Sequence, residues 1–164
     1  MEIINGERLV LGTCYYPEHW DESLWRDDLR RMLENGIEVI RIAEFAWSKI
    51  ERYEGVFNYD FFDRFLDVAA DMGMKVIFCT PTATPPAWLT EKYPEVLNAN
   101  MDGVLYRHGG RRHYNYNSPK YQELTRIIVE KSASHYAKHP AIIGWQIDNE
   151  INCEKNEFYS ESDT

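Results

Sequence analysis

The chain is poor in cysteine, poor in positive charge, and has no long apolar run. Its three cysteines, Cys14, Cys79 and Cys153, are an odd and widely spaced set in 164 residues. That argues against a disulfide framework and for a reducing, cytoplasmic home. Cys14 and Cys79 fall in strand-like runs and are expected to pack as small core residues. Eighteen Lys and Arg stand against 27 Asp and Glu, giving a net charge of −9. Such a balance argues against nucleic acid and acidic membrane surfaces as partners. No apolar stretch approaches the roughly 20 residues of a spanning helix, and no basic segment precedes an apolar one at the N-terminus, so neither a membrane span nor a secretory leader is expected. Glycine fingerprints are missing too: Gly12-Thr13-Cys14 lacks the remaining glycines of a dinucleotide motif. Neither HExxH nor paired CxxC occurs, and His19, His108, His113, His135 and His139 show no ligand spacing. No metal and no cofactor is expected.

What is present is a globular composition, 44% hydrophobic and 14% aromatic. Most of the aromatics suit a core, and the remainder suit stacking on the apolar faces of sugars. Strand and helix signals alternate. Leu9 to Tyr15 is a short apolar run. Asp21 is placed to cap a helix with Trp25, Leu29, Met32 and Leu33 on one face, stopped by Asn35-Gly36. Val39 to Ala43 is a second strand. Asn58 is expected to cap a second helix, with Phe61, Phe62, Phe65, Leu66 and Ala69 inward and Gly73 at its end. Lys75 to Thr80 is a third strand. A long segment from about Pro81 to Asn117 reads as irregular. Ser118-Pro119 opens a third helix, and Ile142 to Ile147 is a fourth strand. Contiguous apolar strands predict a parallel sheet covered on both faces.

Both a doubly wound sheet and a (β/α)₈ barrel fit this order. Polar residues favour the barrel, because they gather just after each strand, where barrel enzymes place their chemistry. Glu18 and His19 follow the first strand. Arg41 and Glu44 lie at the second, Thr82 and Thr84 after the third, and Asp148, Asn149 and Glu150 after the fourth. A carboxylate beside a carboxamide suits acid/base work on a sugar, and Glu150 is the sharpest candidate. A general acid needs its pKa raised by an apolar wall, such as Trp145 could supply, or by a second carboxylate; the plain alternative is a solvated loop glutamate. Arg41, set between isoleucines, needs a partner, whether a catalytic carboxylate or a structural one in Glu18 or Glu44. Glu18 and Glu44 could each be a second carboxylate, but sequence does not measure the gap that a glycosidase pair requires.

Five stretches together resemble glycoside hydrolase family 42, the β-galactosidases. They are Tyr15-Tyr16-Pro17-Glu18-His19-Trp20, the run from Arg41 to Ser48, the run from Pro81 to Trp88, Gly110-Arg111-Arg112-His113-Tyr114, and Gln146-Ile147-Asp148-Asn149-Glu150. The resemblance implies an α/β fold of the (β/α)₈ TIM-barrel type, with residues 1–164 as the N-terminal half of the catalytic domain and only the first four βα units present. It implies Glu150 as general acid/base, Asn149 and Arg111 as sugar-binding residues, and Arg41 as support for a nucleophile that follows a seventh strand outside this chain. It also implies retaining hydrolysis of terminal β-D-galactosides and a homotrimeric intact protein. Some members hold zinc in a cysteine cluster. Here Asn115 and Tyr116 stand where those members place a cysteine, so zinc is not expected. A half barrel alone should be inactive and should self-associate through its open edges. Two other readings stay open: a β-glycanase of the same clan acting on xylan or glucan, and a non-catalytic carbohydrate-binding or scaffold half barrel.

Overall fold

The computed structural model describes residues 9–110, 112–151 and 157–163. In chain order the elements are β1 (Leu11–Cys14), α1 (Trp25–Glu34), β2 (Ile37–Ile42), α2 (Trp47–Ile50), β3 (Glu51–Tyr53), β4 (Val56–Phe57), α3 (Asp60–Met72), β5 (Lys75–Cys79), α4 (Ala87–Lys92), α5 (Pro119–Tyr136) and β6 (Ile142–Gln146). The chain divides into two compact units. The first holds residues 1–43, 59–79 and 138–146, and the second holds 44–58, 80–137 and 147–164.

The first unit is a four-stranded sheet in the order β1-β2-β5-β6, parallel at every pairing. Strand alternates with helix, as expected for βα units of a barrel-type sheet. Gly12 is required for the first pairing: a Cβ there would sit 3.0 Å from the Val39 carbonyl oxygen. α1 turns Trp25 and Leu29 inward, and α3 turns in Phe62, Phe65, Leu66 and Ala69. These residues interlock edge to face, Trp25 on Phe65 at 5.2 Å and Phe62 on Phe78 of β5 at 5.7 Å. Gly36 and Gly73 end their helices in the left-handed conformation that glycine adopts most freely.

Three expectations are corrected here. Asn58 does not cap α3: Tyr59 holds the cap position with no side-chain bond, and the Asn58 N–H instead donates to the Ile50 carbonyl at 2.8 Å. Cys14 is exposed, because it ends an edge strand, whereas Cys79 is buried. Cys153 lies outside the described residues. The segment from Pro81 to Asn117 is also more regular than expected, since it contains α4, flanked by 3₁₀ turns at Pro81–Ala83 and Pro94–Val96.

The second unit is built from α2, the β3-β4 hairpin, α4, α5 and long connections. Glu51 ties three of these together. Its carboxylate accepts from Trp47 Nε1 at 2.7 Å and from the Gly55 N–H at 2.8 Å, and its carbonyl accepts from Trp88 Nε1 at 3.0 Å. α5 begins as expected, with Ser118 accepting from the Tyr121 N–H and Pro119 in its first turn. It buries Tyr121, Leu124, Ile128, Ser132 and Tyr136 at helical spacing.

Candidate active site

Just past β6, Asp148 and Asn149 are buried and Glu150 is exposed. The backbone here is unusual. Asp148 has φ +55°, Glu150 has φ +48°, and Arg112, which bonds to this segment, has φ +56°. Side chains other than glycine rarely adopt that conformation, which costs on the order of 1–3 kcal/mol per residue and persists only where the surroundings impose it.

Three hydrogen bonds impose it on the segment. Thr80 Oγ1 accepts from the Asp148 N–H at 2.7 Å, and Asp148 Oδ1 accepts from the Asn149 N–H at 2.5 Å. The Asn149 carbonyl accepts a short bond from the Arg112 guanidinium. The same guanidinium donates to Tyr114 Oη at 2.8 Å and to Tyr116 Oη, and lies 3.6 Å from Asp148 Oδ1. Arg112 is thus a buried cation engaged with a carbonyl, two phenols and a carboxylate. Burial works against its charge, but Tyr114, Tyr116 and Asp148 outweigh that, so its pKa lies above the ordinary arginine value. Burial in turn pushes the pKa values of Tyr114, Tyr116 and Tyr121 up, so all three stay protonated and able to donate. Tyr114 stacks on Tyr121 at 4.7 Å, and Tyr121 Oη donates to the Thr82 carbonyl at 2.8 Å. The platform under the segment is therefore aromatic and closely bonded.

A cavity of about 290 Å³ opens in this unit, lined in part by Phe45, Thr84, Pro85, Arg112, His113 and Asn149. His113 is buried, and burial holds its pKa below the usual histidine value against the opposing effect of its bond to the Gly110 carbonyl.

Asn149 and Glu150, expected as neighbours in the site, stand together on the bonded segment, and Asn149 also lines the cavity. Arg41 sits on β2 in the first unit, where it donates to Gln146 Oε1 on β6 at 2.8 Å. Arg111 lies outside the described residues. Glu44 is fully buried in the second unit, and Glu18 lies in a 3₁₀ turn after β1 in the first. Sequence reasoning passed over the positioning by Arg112, Tyr114, Tyr116 and Thr80. A signal was available: Tyr114 and Tyr116 alternate, the spacing that puts side chains on one face of extended chain, and Tyr114 does pair in extended fashion with Leu97.

The β-galactosidase of the psychrophile Marinomonas ef1 superimposes with a TM-score of 0.91 at 42% identity, over 94% of this chain and 24% of that one. The polyextremophilic β-galactosidase of the Antarctic haloarchaeon Halorubrum lacusprofundi gives 0.90 at 41%, over 94% and 23%. The fold is accordingly that of the TIM-barrel glycoside hydrolases, represented here by part of a barrel. The glycoside hydrolase 42 model, described as beta-galactosidase, matches residues 14–164, and the chain belongs to that family. Among curated relatives, the β-galactosidase BgaA of a Thermus species is 46% identical over 144 residues, 88% of this chain and 22% of the relative. The chain thus spans about a fifth to a quarter of the length of its relatives.

Proposed function

We propose that the protein containing this chain hydrolyses terminal β-D-galactosides with retention and that residues 1–164 form the N-terminal half of its catalytic barrel. Glu150 is the general acid/base. It protonates the departing glycosidic oxygen while a nucleophile, supplied by chain outside these residues, attacks the anomeric carbon. Glu150 then acts as base and activates the water that releases the sugar. Asn149 binds the 2-hydroxyl, Arg111 contacts the galactose, and Arg41 supports the nucleophile. The observation that carries this reading is the constrained segment: Asp148 and Glu150 hold left-handed backbone beside a carbonyl bonded to Arg112. Strain concentrated at one polar segment points to function there, and the family relatives are β-galactosidases.

The test is Glu150→Gln in the complete protein. Activity on a galactoside with a poor leaving group should fall roughly 10²- to 10⁴-fold, the usual scale of acid/base assistance. Activity on a substrate whose leaving group needs no proton should fall much less. Equal losses on both substrates would refute the acid role, and a protein that prefers xylan or glucan would refute the substrate class.

A further inference from the structure

Glu51 is a buried carboxylate that the chemistry proposed above leaves unused. Burying such a group is costly, and well-packed apolar residues often replace buried charges without loss of stability. Its two oxygens are both engaged, one by Trp47 Nε1 at 2.7 Å and the other by the Gly55 N–H at 2.8 Å. The Trp47 indole is thereby fixed in position, and its ring lies 6.4 Å from that of Tyr121, within the range of paired aromatic rings.

From Tyr121 two routes reach the segment that carries Glu150. Along the first, Tyr121 stacks on Tyr114 at 4.7 Å. Tyr114 Oη accepts from the Arg112 guanidinium, which also donates to the Asn149 carbonyl. Along the second, Tyr121 Oη donates to the Thr82 carbonyl at 2.8 Å. The Thr82 hydroxyl lies 3.4 Å from that of Thr80, which accepts from the Asp148 N–H at 2.7 Å. Every side chain on both routes, from Glu51 to Thr80, is at most 3% exposed. Interiors packed this closely transmit displacement rather than absorb it. The far end of both routes is the left-handed backbone at Asp148 and Glu150, which persists only where its surroundings impose it. A strained segment needs a rigid backing, and a doubly bonded carboxylate fixes an indole more tightly than apolar packing does.

We propose that Glu51 is a positioning residue for the acid/base: through Trp47 and the Tyr121-Tyr114 stack it holds the backbone of residues 148–150 in its strained form. The inference rests on the role given to Glu150 above and extends it to a side chain that acts only through others.

The experiment uses the complete protein, at a temperature where near-ultraviolet circular dichroism shows the native signal. Glu51→Gln keeps the volume and one acceptor oxygen but removes the charge and one bond. It leaves the Glu51 carbonyl, and so the bond from Trp88, in place. Trp47→Phe removes the indole N–H and keeps a ring. In each variant, kcat on a galactoside with a poor leaving group should fall about tenfold, the scale of one hydrogen bond. KM should be nearly unchanged, and the loss should be much smaller where the leaving group needs no proton. A brace for the fold alone would lower the melting temperature and leave kcat of the folded enzyme as it was. That result in Trp47→Phe overturns the proposal, even if Glu51→Gln does not fold. The double variant Glu51→Gln/Thr80→Val should lose less than the product of the two single losses, since both act on one segment. A simple product also overturns it. If Glu150→Gln shows its selective loss and Glu51→Gln shows none, the positioning role falls and the acid/base reading stands. If Glu150→Gln loses equally on both substrates, the acid/base reading falls, and coupling between Glu51 and Thr80 still sustains Glu51 as the anchor of the segment.

Discussion

Arg112 shows how one buried side chain can hold several groups of a segment at once. Its planar fork reaches the Asn149 carbonyl, Tyr114 Oη and Tyr116 Oη together, which a single ammonium cannot do. Arg112→Lys should therefore lower stability to denaturant by about 2–3 kcal/mol, the scale of bonds to a buried charge. It should also depress activity more than a surface arginine change would. His113 makes a separate prediction. Burial lowers its pKa in the folded protein, so between the unfolded value near 6.5 and the folded value the unfolded chain binds more protons. Its stabilising effect is complete above about pH 6.5 and is lost as pH falls through the folded value. His113→Asn should therefore show a shallower fall in melting temperature below that pH, and an unchanged slope would count against the assignment. At this scale the sequence was half legible. Asn149 and Glu150 stood out because polar residues after a buried strand are conspicuous. Arg112 did not, because an arginine pair in a glycine-bounded loop reads as solvated until its buried partners are known.

At the level of elements, the turn at Glu161–Asp163 is held to the connection before α5 by side-chain bonds from Asn115 and Asn117. The Asp163 carboxylate accepts from Asn115 and Asn117 and from the Ser160 N–H and hydroxyl. Asn98 adds a bond from its Nδ2 to the Glu157 carbonyl at 2.9 Å. Burial pushes the Asp163 pKa up, but the bonds from Asn117, Asn115 and Ser160 prevail and bring it below the ordinary value. Such a carboxylate stabilises the turn above its unfolded pKa, and the effect fades as pH falls through the lowered one. Asp163→Ala should accelerate hydrogen exchange at the Ser160 amide at neutral pH and make no difference in strong acid. The helices α1, α3 and α5 were readable because each has an apolar face at helical spacing to bury, and the four parallel strands because their apolar residues run together. The four-residue α2 and the β3-β4 hairpin were not. They are too short to carry a period, and they depend on Glu51 meeting Trp47, Gly55 and Trp88, partners that only the folded chain brings together.

For the molecule as a whole, the sheet ends in two parallel edge strands, and β1 is largely exposed while β6 is only half-buried along its length. Parallel strands are normally covered, and open edges recruit other chains. The 164-residue chain in isolation should therefore associate as concentration rises and should leave a nitrophenyl β-galactoside uncleaved. Light scattering that shows a monodisperse monomer, or brisk hydrolysis by that chain, would contradict the half-barrel reading. No described helix is long and apolar enough to cross a membrane.

The chain passes between the two units at five places, and three of them, Ala43/Glu44, Cys79/Thr80 and Gln146/Ile147, each come at or one residue beyond the C-terminal end of a parallel strand. An insertion at any of these junctions would lengthen the loops without shifting a single strand pairing. The protein can thus vary what it recognises while its ladder of backbone bonds is inherited intact.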